Sequence, residues 1–218
     1  MLMIGPRRFV LYTRPRSGST LLKTMLHSHP SIACDGEIFG ENVENPIYHF
    51  RQSVKNMVRK RPHIQWSGFK LFHGHVQSQH LENWFNKYVV VFLWRSNLFE
   101  QYVSTKLTST HAAKNQIYHM PIHIDASDLL RQLHYAEQVY VEIKLQLRDT
   151  RHLEIYYETL LTEGYRKCVD FFGLHHNVPT ISTIKQRTAA FETLILNYRD
   201  VLSAIRGTKW EHMVERVA

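Results

Sequence analysis

Cysteine is scarce in this chain: Cys34 and Cys168 are the only two among 218 residues. That number rules out a disulfide framework and leaves the stability to an ordinary hydrophobic core. No apolar run approaches the roughly 20 residues needed to cross a bilayer. The opening segment, Met1-Leu-Met-Ile-Gly-Pro-Arg-Arg-Phe-Val10, lacks the long apolar stretch and small-residue cleavage site of a secretory leader. A cytoplasmic, reducing location without a membrane span is therefore the expectation. There is no internal repeat, no low-complexity tract and no Gly/Ser/Pro-rich linker, so a single domain over residues 1–218 is expected. Metal-site patterns are missing too. The 15 histidines include His73-Gly-His75, His27-Ser-His29 and His175-His176, none with Cys or carboxylate companions at ligand spacing.

Acidic residues are outnumbered by basic ones, giving a formal charge of +8. Such a charge favours anionic partners without choosing among nucleic acid, a membrane surface and a phosphorylated small molecule, and a solvated basic surface explains it equally well. The densest cluster, Val58-Arg-Lys-Arg-Pro62, reads as a loop. It lacks the interleaved aromatics of single-strand binders, which argues against nucleic acid.

Four segments read as strands: Arg8–Thr13, Ser67–Phe72, Tyr88–Trp94 and His152–Tyr157. The third is apolar throughout, as a strand buried on both faces of a parallel sheet must be. Helical spacing covers Ser19–His29, Asn97 to about Ala112, Asp125–Leu147, Arg166–Phe172 and Phe191–Ile205. Asp125, Ser127 or Asp128 is the expected cap of the long central helix. Alternating strands and helices predict a three-layer αβα domain around a mainly parallel sheet. Ligands of such sheets bind beyond the carboxyl ends of the strands, here after Thr13, Phe72 and Trp94.

The strongest local signal follows the first of these ends. A strand runs into Arg14-Pro-Arg-Ser-Gly-Ser-Thr20 and then into a helix. Backbone N–H groups at a helix start can wrap a phosphate, Gly18 permits close approach, and Arg16 adds a fork of donors. The nucleotide-triphosphatase version of this turn carries a glycine and a lysine where Thr13 and Ser19 stand. An ATP-dependent phosphotransferase of P-loop type is thus the second reading rather than the first.

Pro15-Arg-Ser-Gly-Ser-Thr20 resembles the 5′-phosphosulfate loop of sulfotransferases that use 3′-phosphoadenosine 5′-phosphosulfate (PAPS). The resemblance implies donor contacts at Arg14, Pro15, Arg16, Ser17, Gly18, Ser19 and Thr20, with Arg16 stabilising the bridging oxygen. Trp94-Arg-Ser-Asn-Leu-Phe-Glu-Gln-Tyr-Val-Ser104 is similar to the family's 3′-phosphate motif, which assigns that phosphate to Arg95 and Ser104. Lys185-Gln-Arg-Thr188 resembles the loop that closes over the nucleotide, so Lys185, Gln186, Arg187 and Thr188 are implied as further contacts. Weaker likenesses lie in His29–Phe39, Gly68-Phe-Lys70, Tyr157-Glu-Thr-Leu160 and Phe171-Phe-Gly-Leu174. Together they run from about Phe9 to Trp210, closest in flavour to bacterial trehalose and nodulation-factor sulfotransferases.

What the resemblance implies is a P-loop-like sulfotransferase fold, no metal, and in-line transfer of a sulfuryl group to a hydroxyl of a carbohydrate or other small acceptor, leaving 3′-phosphoadenosine 5′-phosphate (PAP). Glu37 is the first candidate for the base and Lys70 for a helping cation; His73 or His75 is the alternative base. Acceptor recognition is expected in the stretches Gly40 to Pro62 and His111 to Ile124. The oligomeric state is open, a homodimer included. Cys34, close to this site in sequence, reads as a small buried filler.

Overall fold

The computed structural model describes residues 6–39, 46–110, 120–181 and 189–215. The chain divides into two compact units, residues 1–96 with 146–183 and residues 97–145 with 184–218.

The first unit is built on five parallel strands: β1 (Arg7–Thr13), β2 (Ile32–Glu37), β3 (Trp66–Phe72), β4 (Val89–Trp94) and β5 (His152–Tyr156). Their spatial order is β2-β3-β1-β4-β5. The central strand β1 pairs in register with β3 on one side and β4 on the other. Each crossover is helical, as parallel pairing requires. One face carries α1 (Ser19–Ser28) and α6 (Tyr165–Phe172), whose Leu22, Met25, Leu26, Cys168, Val169 and Phe172 pack on Phe9, Leu11, Trp66 and Val91. The other carries α2 (Pro46–Lys60) and α3 (Ser78–Lys87), where Phe50 and Trp84 meet Phe69 and where Phe85 meets Tyr12. These are the three layers the alternating pattern predicts. Gly68 is needed by packing: a Cβ there would fall 2.5 Å from the Phe9 ring that lies across β3.

In this unit three readings of the sequence need correction. β2 adds a fifth strand where only four were expected; its apolar part is confined to Ile32-Ala33-Cys34, and its pairing shifts between Cys34 and Glu37. Most of the stretch Gly40 to Pro62 is helix α2 rather than loop, and the basic cluster Val58-Arg-Lys-Arg-Pro62 closes that helix. Arg61 does not join an anion-binding patch. Its guanidinium donates to the carbonyls of His27 (3.2 Å), His29 and Ile32 (2.9 Å), tying the end of α1 to the start of β2.

The second unit contains α4 (Leu98–Thr110), α5 (Ala126–Leu147) as far as Leu145, α7 (Phe191–Leu194), α8 (Tyr198–Ile205) and α9 (His212–Glu215). Asn97 caps α4, its side-chain oxygen accepting from Glu100 N at 2.9 Å. Asp125 caps α5 through Asp128 N at 2.8 Å. Asp128 also accepts from the Tyr102 hydroxyl at 2.8 Å and pairs with Lys106, joining the two helices. The helix expected over Phe191–Ile205 is broken. Ile195 bridges Ile122, and the Asn197 amide bonds both the N–H and the carbonyl of Ile124, at 3.0 and 2.8 Å. No helix among the described residues is long and apolar enough to span a membrane.

Candidate active site

The loop after β1 is shaped by its backbone. Thr13, fully buried, donates its hydroxyl to the Leu93 carbonyl at 2.8 Å and so fixes the exit of β1 against β4. Two left-handed residues follow, Arg16 at φ 64° and Gly18 at φ 83°. For a non-glycine residue that conformation costs about 1–2 kcal/mol, and it persists only where surroundings impose it. Left-handed residues in a turn generate the concave rows of N–H groups that receive anions. Gly18 is the N-cap of α1 and has no side chain to occupy the helix end. Ser19 is therefore not the cap but the first helical residue, and the positive end of α1 opens onto the loop. Ser17 and Ser19 are buried beside it, while Pro15 and Thr20 face solvent.

The motif after β4 is joined to this loop. Arg95, 8% exposed, donates from Nη1 to the Arg16 carbonyl at 3.2 Å and lies 4.4 Å above the Tyr157 ring. The same ring abuts Gly18, where a Cβ would sit 2.3 Å from Tyr157 Cδ2. Next to it, Glu158 accepts from Ser96 N at 3.2 Å. Gly18, Tyr157, Arg95 and Arg16 thus close a ring of contacts in which the loop after β1 and the segment after β4 hold each other. Tyr157 was legible only as part of a weak resemblance; nothing in its local sequence announces contact with Gly18.

The candidates for proton transfer lie at the ends of the next strands. Glu37 and Lys70 are register partners on β2 and β3, and Lys70 Nζ donates to Glu37 Oε1 at 3.1 Å. The pair is lopsided: the Lys70 side chain is 7% exposed and that of Glu37 47%. Lys70 also stands 5.3 Å over the Phe72 ring. In the turn after β3, His73 N donates to the Thr13 carbonyl at 2.9 Å, and His73 Nδ1 is hydrogen-bonded to the Tyr12 hydroxyl at 2.8 Å. His75 accepts from Phe72 N at 3.3 Å. Burial holds the His75 imidazole below its ordinary value, with Lys70 acting in the same sense and Glu37 against it. Arg16, Glu37, Lys70 and His73 therefore gather at the carboxyl ends of three adjacent strands, β1, β2 and β3.

Cys34 is fully buried and its thiol is pushed up to about 12 by that burial, which suits packing and not nucleophilic chemistry. Ser104 belongs to α4 in the second unit. Lys185, Gln186, Arg187 and Thr188 lie outside the described residues, as does much of the stretch His111 to Ile124.

Residues 10–134 match the model of the sulfotransferase family. A comparison with curated proteins finds no match. Among solved structures, the crystal structure of a sulfotransferase from Alicyclobacillus acidocaldarius is similar over 98% of this chain and 95% of that one, with a TM-score of 0.56 and 15% identity. At that identity the likeness speaks for the fold.

Proposed function

The chain belongs to the sulfotransferase family, and we propose that it moves the sulfuryl group of PAPS onto a hydroxyl of a small acceptor, a carbohydrate being the first class to test. The observation that carries this reading is the ring formed by Gly18, Tyr157, Arg95 and Arg16. A single phosphate loop would serve many nucleotides. A second buried arginine fastened to it suits a donor with phosphate at two places.

In this reading the loop amides and Arg16 hold the 5′-phosphosulfate, and Arg95 takes the 3′-phosphate. The acceptor oxygen attacks sulfur as the bond from sulfur to the bridging oxygen breaks, and PAP departs with that oxygen. Charge grows on the leaving oxygen, so fixed donors and cations supply the catalysis, as in phosphoryl transfer. Lys70 and Arg16 are the cations for it. The acceptor's proton passes to Glu37, with His73 or His75 as the competing base. No metal enters this scheme. The phosphotransferase alternative is weakened where Ser19 stands in place of the P-loop lysine and Asn97 caps a helix instead of offering a carboxylate. The reading takes the whole chain as one domain. Two cysteines, both free and buried, suit a cytoplasmic setting.

Calorimetric titration with PAP tests the donor assignment, with adenosine 5′-phosphate and magnesium-ATP as controls. Metal-independent binding of PAP is expected. It should weaken by about 10²-fold in Arg95→Ala, the loss of two or so charge-assisted bonds to a phosphate. A preference for magnesium-ATP, or equal affinity for PAP and adenosine 5′-phosphate, would refute it.

A further inference from the structure

A cleft of about 620 Å³ opens on the α2 side of the sheet, between that helix and the beginning of β1. Its helical wall carries two parallel stripes. Phe50, Val54 and Val58 recur every four residues, and Arg51, Lys55 and Arg59 do so one position later. Side chains four apart share a helix face, so each stripe runs for about 12 Å. Arg8 stands on the opposite wall. All four cations are exposed, and among the described residues no acidic side chain lines the cleft and none of the four forms an ion pair. An apolar trough whose described walls carry four cations and no carboxylate disfavours cationic ligands and attracts an anion whose body is apolar.

This is not the donor site. Arg8 precedes Thr13 by five residues of extended strand, roughly 17 Å. Strand alternation places it with Val10 and Tyr12, on the face opposite Phe9, Leu11 and α1.

We propose that the cleft binds a small amphipathic anion, an apolar body carrying a sulfate, sulfonate or carboxylate head. Its volume is that of small-molecule sites, about 300–1,000 Å³. A membrane surface would instead be met by a protruding apolar face, and single-stranded nucleic acid by several stacking rings, whereas Tyr48 is the one exposed ring among the described lining residues. The proposal stands apart from the donor reading, because it concerns binding and not turnover.

Octyl sulfate below its micelle threshold is the probe, with neutral octyl glucoside as control, titrated calorimetrically into the full chain with and without saturating PAP. One octyl sulfate per chain should bind, at least about tenfold tighter than octyl glucoside. The variant Arg51→Gln/Lys55→Gln/Arg59→Gln, altered at exposed helix positions, should lose about as much. Val58→Trp should block the trough; melting curves establish that both variants are folded. Absence of saturable binding, equal affinity for the neutral detergent, parental affinity in either variant, or displacement by PAP would each overturn the proposal. Sedimentation with phosphatidylserine vesicles in the absence of octyl sulfate binding would also overturn it, assigning the basic wall to a membrane.

Discussion

Gly18→Ala tests the geometry on which the candidate site depends. The glycine sits at φ 83°, and a Cβ added there meets Tyr157 Cδ2 at 2.3 Å, Cε2 at 2.8 Å and Leu160 Cδ1 at 3.3 Å. Two costs add. A left-handed alanine loses about 1–2 kcal/mol. Forcing a methyl into filled space costs about 1–3 kcal/mol more, because the Tyr157 ring also carries the Arg95 guanidinium 4.4 Å above it and cannot move without disturbing that contact. The sum, about 2–5 kcal/mol, corresponds in a chain of this length to a melting point lowered by roughly 4–20 °C. Urea unfolding of Gly18→Ala, Tyr157→Ala and the double variant separates the terms. The double variant should be more stable than additivity predicts by about 1–3 kcal/mol, the steric part alone, while the backbone part remains. Gly18→Ala melting like the parent would refute the left-handed cap. Strict additivity would refute the contact with Tyr157.

Glu37→Gln should lower kcat by about 10²–10⁴ while leaving PAP affinity within a few-fold, as loss of a general base does; a rate kept within tenfold would transfer the role to His73 or His75. A second expectation concerns pH. His27 and His75 both lie below the ordinary 6.5, burial being the first cause for each. At His27, Lys23 and Arg61 deepen the shift while the Cys34 carbonyl and Asp35 oppose it; at His75, Lys70 and Glu37 play those parts. With the folded pKa depressed, the unfolded chain takes up protons first. The stability these histidines allow is full above about 6.5 and is lost as pH falls through their folded values. Urea unfolding free energies should decline on acidification across that window, and His27→Gln/His75→Gln should flatten the decline; an unchanged slope would sink the assignment.

The parts of the fold that were readable are those fixed by local chemistry. β1 and β4 are largely apolar runs, β3 and β5 are shorter segments in which apolar and polar residues mix, and the loop from Arg14 to Thr20 announces itself through Gly18 and Arg16 at a strand-to-helix junction. β2 was not readable because half of it is Asp35-Gly36-Glu37, residues that enter the sheet only by pairing with β3. In α2, the recurrence of Ile47, Phe50, Val54 and Val58 is a helical signal that the polar, Arg- and Lys-rich surroundings obscure. The break between α7 and α8 is non-local: Ile122 and Ile124 compete for the backbone around Ile195 and Asn197, and no propensity at Phe191–Ile205 encodes that. In the site, residue types were legible and their partners were not. Arg95 could be named from its motif, but its seat on Tyr157 depends on β5 returning beside β4.

Lys70 presents the sharpest conflict between fold and chemistry. Its side chain is 7% exposed near the carboxyl end of β3 and is bonded to a carboxylate that is itself half in water. A pair so placed contributes little net stability, since the desolvation of the buried cation offsets most of the attraction. Methionine has nearly the same length and no charge to desolvate, so the fold alone gives no reason for lysine here. A cation retained against that cost, at the end of the sheet where Arg16, Glu37 and His73 also gather, is explained by an anion that arrives there. Lys70→Met is accordingly expected to melt close to the parental temperature, because the Glu37 carboxylate left behind is half exposed and stays hydrated. Sulfuryl transfer should fall by at least about 10²-fold, the scale of losing one preorganised charge from the transition state. Lys70→Arg should recover part of the rate if charge is what matters. A Lys70→Met protein that is markedly less stable, or one that transfers sulfuryl groups at the parental rate, would make Lys70 a structural residue and leave Arg16 as the one cation acting on the leaving oxygen.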